Sequence, residues 1–118
     1  MLFRSLMSKG VRVSNGSYAP VEIPDVLKGI ECAVTRTSLD GTGPYLPEEA
    51  FTAAEALRSF TCEGAYASFE EKEKGLIKEG YLADFVILSE DPFNTEKKNI
   101  HKIKVLKTYL GGSCVFEI

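Results

Sequence analysis

The sequence has few of the side chains from which catalytic metal sites are usually built. Its 118 residues include one histidine, His101, and its three cysteines form no Cys-x-x-Cys pair. Zinc sites usually draw several ligands from histidine and cysteine, so this composition argues against a zinc site within the chain. We interpret His101 as a solvated side chain, and Cys32, Cys62 and Cys114 as buried reduced thiols.

Other absences exclude further classes of protein. A Ser-His-Asp triad would need the same histidine, and no Gly-x-Ser-x-Gly elbow accompanies it. The net charge is −3 and the longest basic block is Lys97-Lys98, which excludes nucleic-acid binding by charge. Apolar runs such as residues 85–88 are far shorter than the roughly 20 residues that cross a bilayer. Residues 1–10 also lack the apolar centre of a secretion signal, so we expect a cytoplasmic protein that binds neither membrane nor nucleic acid.

Residues 1–69 carry mainly helical patterns. They predict a helix that ends at Gly10, a helix from Asp25 to Thr35, a helix that begins at the Thr52-Glu55 capping box and a short helix over 63–69. Residues 11–14 alternate apolar and polar side chains before an Asn-Gly turn, which predicts a single strand.

The pattern changes in residues 70–118. The charge run of residues 70–74 is typical of a solvated connector. After Gly75, apolar runs predict about four short strands, with Gly111-Gly112 as a two-residue hairpin turn. We expect residues 1–69 and 70–118 to form one compact folding unit, because the chain has the size of one domain.

Three stretches in this order resemble the C-terminal end of the amidohydrolase superfamily, in the amidohydrolase 3 group of metal-dependent hydrolases. They are FRSLMSKGVRVSNGSYAPVEIPDVLKGIECAVTR, FTAAEALRSFTCEGAYASFEEKEKGLIKEGYLADFVILSEDP and KVLKTYLGGSCVFE. The resemblance implies a mixed α/β fold. Residues 1–69 would be the last strand and closing helices of a (β/α)8 barrel, and residues 70–118 a small antiparallel piece of the family's composite β-sandwich.

The resemblance also implies what the chain lacks. The family hydrolyses carbon–nitrogen bonds other than peptide bonds with water activated by a metal, typically zinc, and its first metal ligands would precede residue 1. Its catalytic aspartate follows a Gly-Ser pair, and here Gly16, Ser17 and Pro20 frame a turn in which Tyr18 takes that position. Phenols are mostly protonated at neutral pH and replace a carboxylate base poorly. We therefore expect no catalytic residue, no cofactor site and no metal ligand in this chain, which would be inactive alone.

Two other functions stay open. The chain could be a non-catalytic interaction module that pairs with itself or completes another chain through exposed sheet edges, and we expect a homo-oligomer because bare strand edges associate. It could instead be a small enzyme with a site built on Tyr18, Glu22 and Asp84. The simpler interpretation of Asp84 is that its carboxylate binds nearby backbone donors where a turn becomes a strand. The substrate of a parent enzyme and the size of an oligomer do not follow from the sequence.

Overall fold

A computed structural model describes residues 3–118 and contains four helices and three strands in that range. The helices are α1 (Phe3–Ser8), α2 (Val26–Thr35), α3 (Ala53–Phe60) and α4 (Cys62–Ala67); the strands are β1 (Phe85–Leu88), β2 (Val105–Leu110) and β3 (Ser113–Glu117); short 3-10 helices cover Pro47–Glu49 and Lys97–Lys102. Leu2, which begins the predicted first helix, lies outside the described residues. No helix in residues 3–118 is long and apolar enough to cross a membrane.

Local signals set the starts of α2 and α3. The Asp25 carboxylate accepts a hydrogen bond from the Lys28 N–H at 3.2 Å and so caps α2. At α3, the Thr52 hydroxyl accepts from the Glu55 N–H at 3.2 Å, while the Glu55 carboxylate accepts from the Thr52 N–H at 2.7 Å. Both predicted starts are confirmed. They could be predicted because a helix cap involves only residues within one helical turn.

The sheet is antiparallel, in the order β1-β2-β3. Thr108 of the central strand pairs with Val86 on one side and with Phe116 on the other. Gly111 and Gly112 make the β2–β3 turn with φ values of 56° and 81°, as a two-residue hairpin requires. The predicted antiparallel sheet and its turn are confirmed, but the sheet has three strands rather than four, because the Leu76-Ile77 run forms none.

The strand predicted over residues 11–14 is wrong. Within the described residues 3–118, the segment 11–17 pairs with no strand; the Val11 N–H donates to the Leu6 carbonyl, and the Asn15 N–H donates to the Ser59 carbonyl. From Arg12 to Tyr18 their burial alternates between exposed and half-buried, as in extended chain. The segment therefore has the side-chain pattern of a strand and lacks only a neighbouring strand to bond it.

The core joins both halves of the chain. Its buried residues are Phe3, Leu27, Ile30, Ala33, Val34, Phe51, Ala56, Ile100 and Ile103. Ile30 and Ile100 are completely buried, which places the 3-10 helix of residues 97–102 against α2. The core thus draws on residues 1–69 and on residues 70–118, and the division of the chain at residue 69 stays a prediction.

The three cysteines differ in exposure. Cys62 is buried and Cys32 is half-buried, but Cys114 is exposed, so its predicted burial is wrong. Cys114 lies on β3, an edge strand whose residues are all exposed. Burial and the nearby Glu31 raise the pKa of the Cys32 thiol above its usual range.

Candidate functional site

The turn at Tyr18 projects its side chain into solvent. Tyr18 has φ 54°, in the left-handed region that bulky residues rarely adopt, and its side chain is 85% exposed. Its carbonyl accepts a hydrogen bond from the Val21 N–H at 3.0 Å, which closes the turn. The phenol itself enters no hydrogen bond or ring contact within residues 3–118.

The Asp84 side chain joins the start of β1 to the β2–β3 turn. Its carboxylate accepts a hydrogen bond from the Gly111 N–H at 2.7 Å, and the Gly112 N–H donates to the Ala83 carbonyl at 3.0 Å. The predicted role of Asp84 as an acceptor for backbone donors is confirmed, although the donor lies 27 positions away on the hairpin turn. In the described part of the chain, no hydrogen bond or ion pair joins Asp84, Glu22 and Tyr18.

His101 is paired rather than solvated, which corrects its predicted role. Its Nδ1 lies 2.7 Å from the Glu31 Oε2, and the same oxygen accepts the His101 backbone N–H at 2.9 Å. Glu31 is only 7% exposed, so its carboxylate needs these donors. The sequence held one signal for this pair: Glu31 follows Leu27 by four positions and therefore shares the buried side of α2.

A charged cluster that the sequence did not reveal lies beside residues 11–13. Glu63 accepts hydrogen bonds from Arg12 at 2.5 Å and from Arg58 at 3.0 Å, and the Arg12 guanidinium stacks 3.7 Å from the Tyr66 ring centre. The Arg12 hydrogen bond is the main cause that holds the pKa of Glu63 below its usual range. Arg12, Arg58 and Glu63 border a cleft of about 220 Å³, and every charged side chain that lines it is already paired.

An apolar groove lies between the α3–α4 pair and the sheet. Its volume is about 860 Å³, in the range of small-molecule sites. Helical, loop and strand residues line it, among them Leu57, Phe60, Ala65, Ile77, Tyr109 and Val115. We call this surface the α3–β3 groove.

The sequence match decides the family. Residues 2–116 match the sequence model described as "Amidohydrolase family". The chain belongs to the amidohydrolase family. It is 39% identical over 117 residues to YtcJ of Bacillus subtilis (strain 168), and that alignment covers 98% of this chain and 22% of YtcJ.

Two further similarities support the assignment. The chain is 37% identical over 120 residues to the N-substituted formamide deformylase of Arthrobacter pascens, covering 97% of this chain and 21% of that enzyme. It also resembles the crystal structure of an amidohydrolase from Thermotoga maritima MSB8, with a TM-score of 0.64, 26% identity and coverage of 98% of this chain and 26% of that one. The chain thus spans about a fifth of the length of the curated relatives it matches.

Within residues 3–118, the side chains of this amidohydrolase-family chain are not grouped as a metal ion requires. Across residues 3–118, no three His, Cys, Asp or Glu side chains are grouped so that they could hold one. His101 is bonded to Glu31, and Tyr18 presents a phenol to solvent. We therefore derive no chemical step through a metal from these residues.

Proposed function

We propose that this chain is a non-catalytic segment of the amidohydrolase fold that acts through its contacts. One observation carries the proposal. In the described residues, no three His, Cys, Asp or Glu side chains are grouped so that they could hold a metal ion, and the one histidine there, His101, is hydrogen-bonded to Glu31. In this proposal, residues 1–69 correspond to the end of the (β/α)8 barrel and residues 70–118 to part of the composite sandwich.

Tyr18 supports the same proposal. We assign it to the position of the family's catalytic aspartate, framed by Gly16, Ser17 and Pro20. A general base must reach the proton that it removes and must be able to accept it. The Tyr18 side chain stands in solvent, and a phenol replaces a carboxylate base poorly.

The parent reaction would be hydrolysis of a carbon–nitrogen bond. The Arthrobacter pascens relative is an N-substituted formamide deformylase, so N-substituted formamides are the substrates to try first. Because this chain spans about a fifth of such relatives, the metal ligands and the base would have to come from residues outside these 118.

Zinc binding and hydrolysis test the proposal together. The purified chain is incubated with zinc and dialysed, and bound metal, melting temperature and formamide hydrolysis are measured, with the Arthrobacter pascens enzyme as positive control. We expect no stoichiometric zinc, no zinc-dependent rise in melting temperature and no hydrolysis. One zinc per chain together with turnover would refute the non-catalytic role.

The second candidate is an interaction module that pairs with itself or completes another chain. It is favoured by the unpaired strand edges: within the part of the chain that the structure describes, β1 and β3 each pair with one strand, and residues 11–17 pair with none. Val115 lies at a bulge and has no register partner on β2, so Val115→Pro is the β3 substitution that we expect to block the edge with the least disturbance of the β2–β3 pairing. We expect this substitution to weaken association and to leave the far-UV circular dichroism spectrum unchanged.

A further inference from the structure

Asn15 and Gly16 form the only Asn-Gly pair in the sequence. Both lie in residues 11–17, a segment without helix, strand or turn, and Gly16 is exposed. Two hydrogen bonds attach Asn15 to α3: its backbone N–H donates to the Ser59 carbonyl at 3.0 Å, and its side-chain Nδ2 donates to the Ser59 Oγ at 3.0 Å. Ser59 is 1% exposed, so the Asn15 amide is held against a buried hydroxyl.

The backbone nitrogen of Gly16 is accessible. Among residues 3–118, no acceptor binds the Gly16 N–H, and no atom lies within 4 Å of the position where a Cβ would stand. Glycine has no side chain that would obstruct attack by its own nitrogen on the preceding residue. An amide carbonyl on Asn15 and an unhindered nitrogen on Gly16 are therefore adjacent in the chain.

The other two asparagines have different surroundings. Thr95, which follows Asn94, has a branched side chain, and its N–H donates to a carbonyl four positions earlier at 3.0 Å. Ile100, which follows Asn99, is completely buried. Both sites lack the exposed and unbonded nitrogen that the Asn-Gly pair offers.

We propose that Asn15 is a site of spontaneous deamidation, which Ser59 restrains and which releases residues 11–17 from α3 when it occurs. The Gly16 nitrogen attacks the Asn15 Cγ, so that the new N–Cγ bond closes a cyclic succinimide and the Cγ–Nδ2 bond breaks. Nδ2 leaves as ammonia with the proton that the Gly16 nitrogen loses. Water then opens the ring at either carbonyl, and aspartate or isoaspartate remains at position 15.

Either product disturbs the contact with α3, because the Nδ2 donor is replaced by a carboxylate. The Ser59 hydroxyl has one proton, which it donates to the Ala56 carbonyl at 2.6 Å, so it can bond to the carboxylate only by giving up that bond. A carboxylate beside a buried group that offers it no donor is unfavourable. Isoaspartate also lengthens the main chain by a methylene. The inference goes beyond the non-catalytic role and does not depend on it.

Peptide mapping by mass spectrometry measures the reaction. The folded 118-residue chain is incubated for days in mildly alkaline buffer and digested with trypsin, and conversion of Asn15 is read from the peptide of residues 13–28. A sample digested before incubation corrects for deamidation during digestion. We expect aspartate and isoaspartate to accumulate at position 15, while Asn94 and Asn99 keep their amides.

Ser59→Ala tests the restraint. It should raise the rate about fivefold, the effect of one lost hydrogen bond. Ser8→Ala is the matched control, because Ser8 also donates to a carbonyl three positions earlier but does not contact Asn15; its rate should equal that of the wild type. The wild-type chain unfolded in urea, which loses the same bond without a substitution, should also react faster than the folded chain.

Asn15→Asp tests the release. It supplies the product directly and should speed hydrogen exchange of the backbone N–H at position 15, whereas Asn99→Asp should not. Four results would overturn the inference: an intact amide at position 15, aspartate without isoaspartate there, a reaction that neither Ser59→Ala nor unfolding accelerates, or unchanged exchange in Asn15→Asp.

Discussion

Replacing Glu31 tests whether one buried carboxylate joins the two halves of the chain. Glu31 lies on α2 and accepts two hydrogen bonds from His101, 70 positions later, at 2.9 Å from the backbone N–H and 2.7 Å from Nδ1. Glu31→Ala removes both acceptor contacts at once. The backbone N–H of His101 is then left without its partner beside the buried Ile100.

The expected loss follows from these two bonds. A hydrogen bond to a charged group contributes about 1.5–3 kcal/mol, and a buried donor left unpaired costs about 1–3 kcal/mol. Because the His101 side chain is 32% exposed, water hydrogen-bonds to its Nδ1 in the Glu31→Ala variant and reduces the loss of stability. We expect Glu31→Ala to lower the free energy of unfolding by about 3 kcal/mol. Glu31→Gln keeps an oxygen acceptor for the backbone N–H and should lose about 1 kcal/mol.

Urea unfolding measures the difference. With an m value of about 1.5 kcal/mol/M, typical of small proteins, the Glu31→Ala midpoint should fall by roughly 2 M. Glu79→Ala, at an exposed position without a hydrogen bond within the described residues, is the matched control and should shift it little. All variants are compared at one dilute concentration, because self-association would raise the apparent stability.

Two results would contradict this reasoning. A Glu31→Ala midpoint equal to that of Glu79→Ala would mean that the pair contributes nothing to stability. A Glu31→Gln loss as large as that of Glu31→Ala would mean that the charge, rather than the acceptor for the backbone N–H, is what matters.

Two further predictions concern close packing and pH. Gly75→Ala places a Cβ at 2.8 Å from the Ala65 Cβ at φ 92°, whereas Gly80→Ala, at φ 83°, meets nothing within 4 Å. We expect losses of about 3 kcal/mol and about 1 kcal/mol respectively, measured by thermal unfolding. Arg12 holds the pKa of Glu63 low, so the stability that Glu63 contributes is present above the ordinary glutamate pKa and is lost as pH falls through the lowered value. The difference in urea midpoint between wild type and Glu63→Gln should therefore be constant near neutral pH and shrink in acid; a difference that grows in acid would contradict this.

The starts of α2 and α3 and the Gly111-Gly112 turn could be predicted because their hydrogen bonds join residues close in sequence. The carboxylates of Asp25 and Glu55 each reach a backbone N–H three positions away. The family resemblance could also be recognised, because it depends on the order of such local motifs, and the match over residues 2–116 confirms it.

Strand formation, side-chain pairing and burial were decided by the tertiary structure, because each depends on segments that are distant in sequence. The alternating pattern of residues 11–14 specifies side chains suited to a strand, but a strand exists only where a second segment supplies its hydrogen bonds, and residues 3–118 supply none there. His101 became a hydrogen-bond partner of Glu31 because packing brought these two distant residues together. Cys114 stayed exposed because its strand forms the edge of the sheet. The sequence by itself determined the local caps and turns, whereas burial, pairing and strand formation required the whole chain, since each needs a partner that lies far away in sequence.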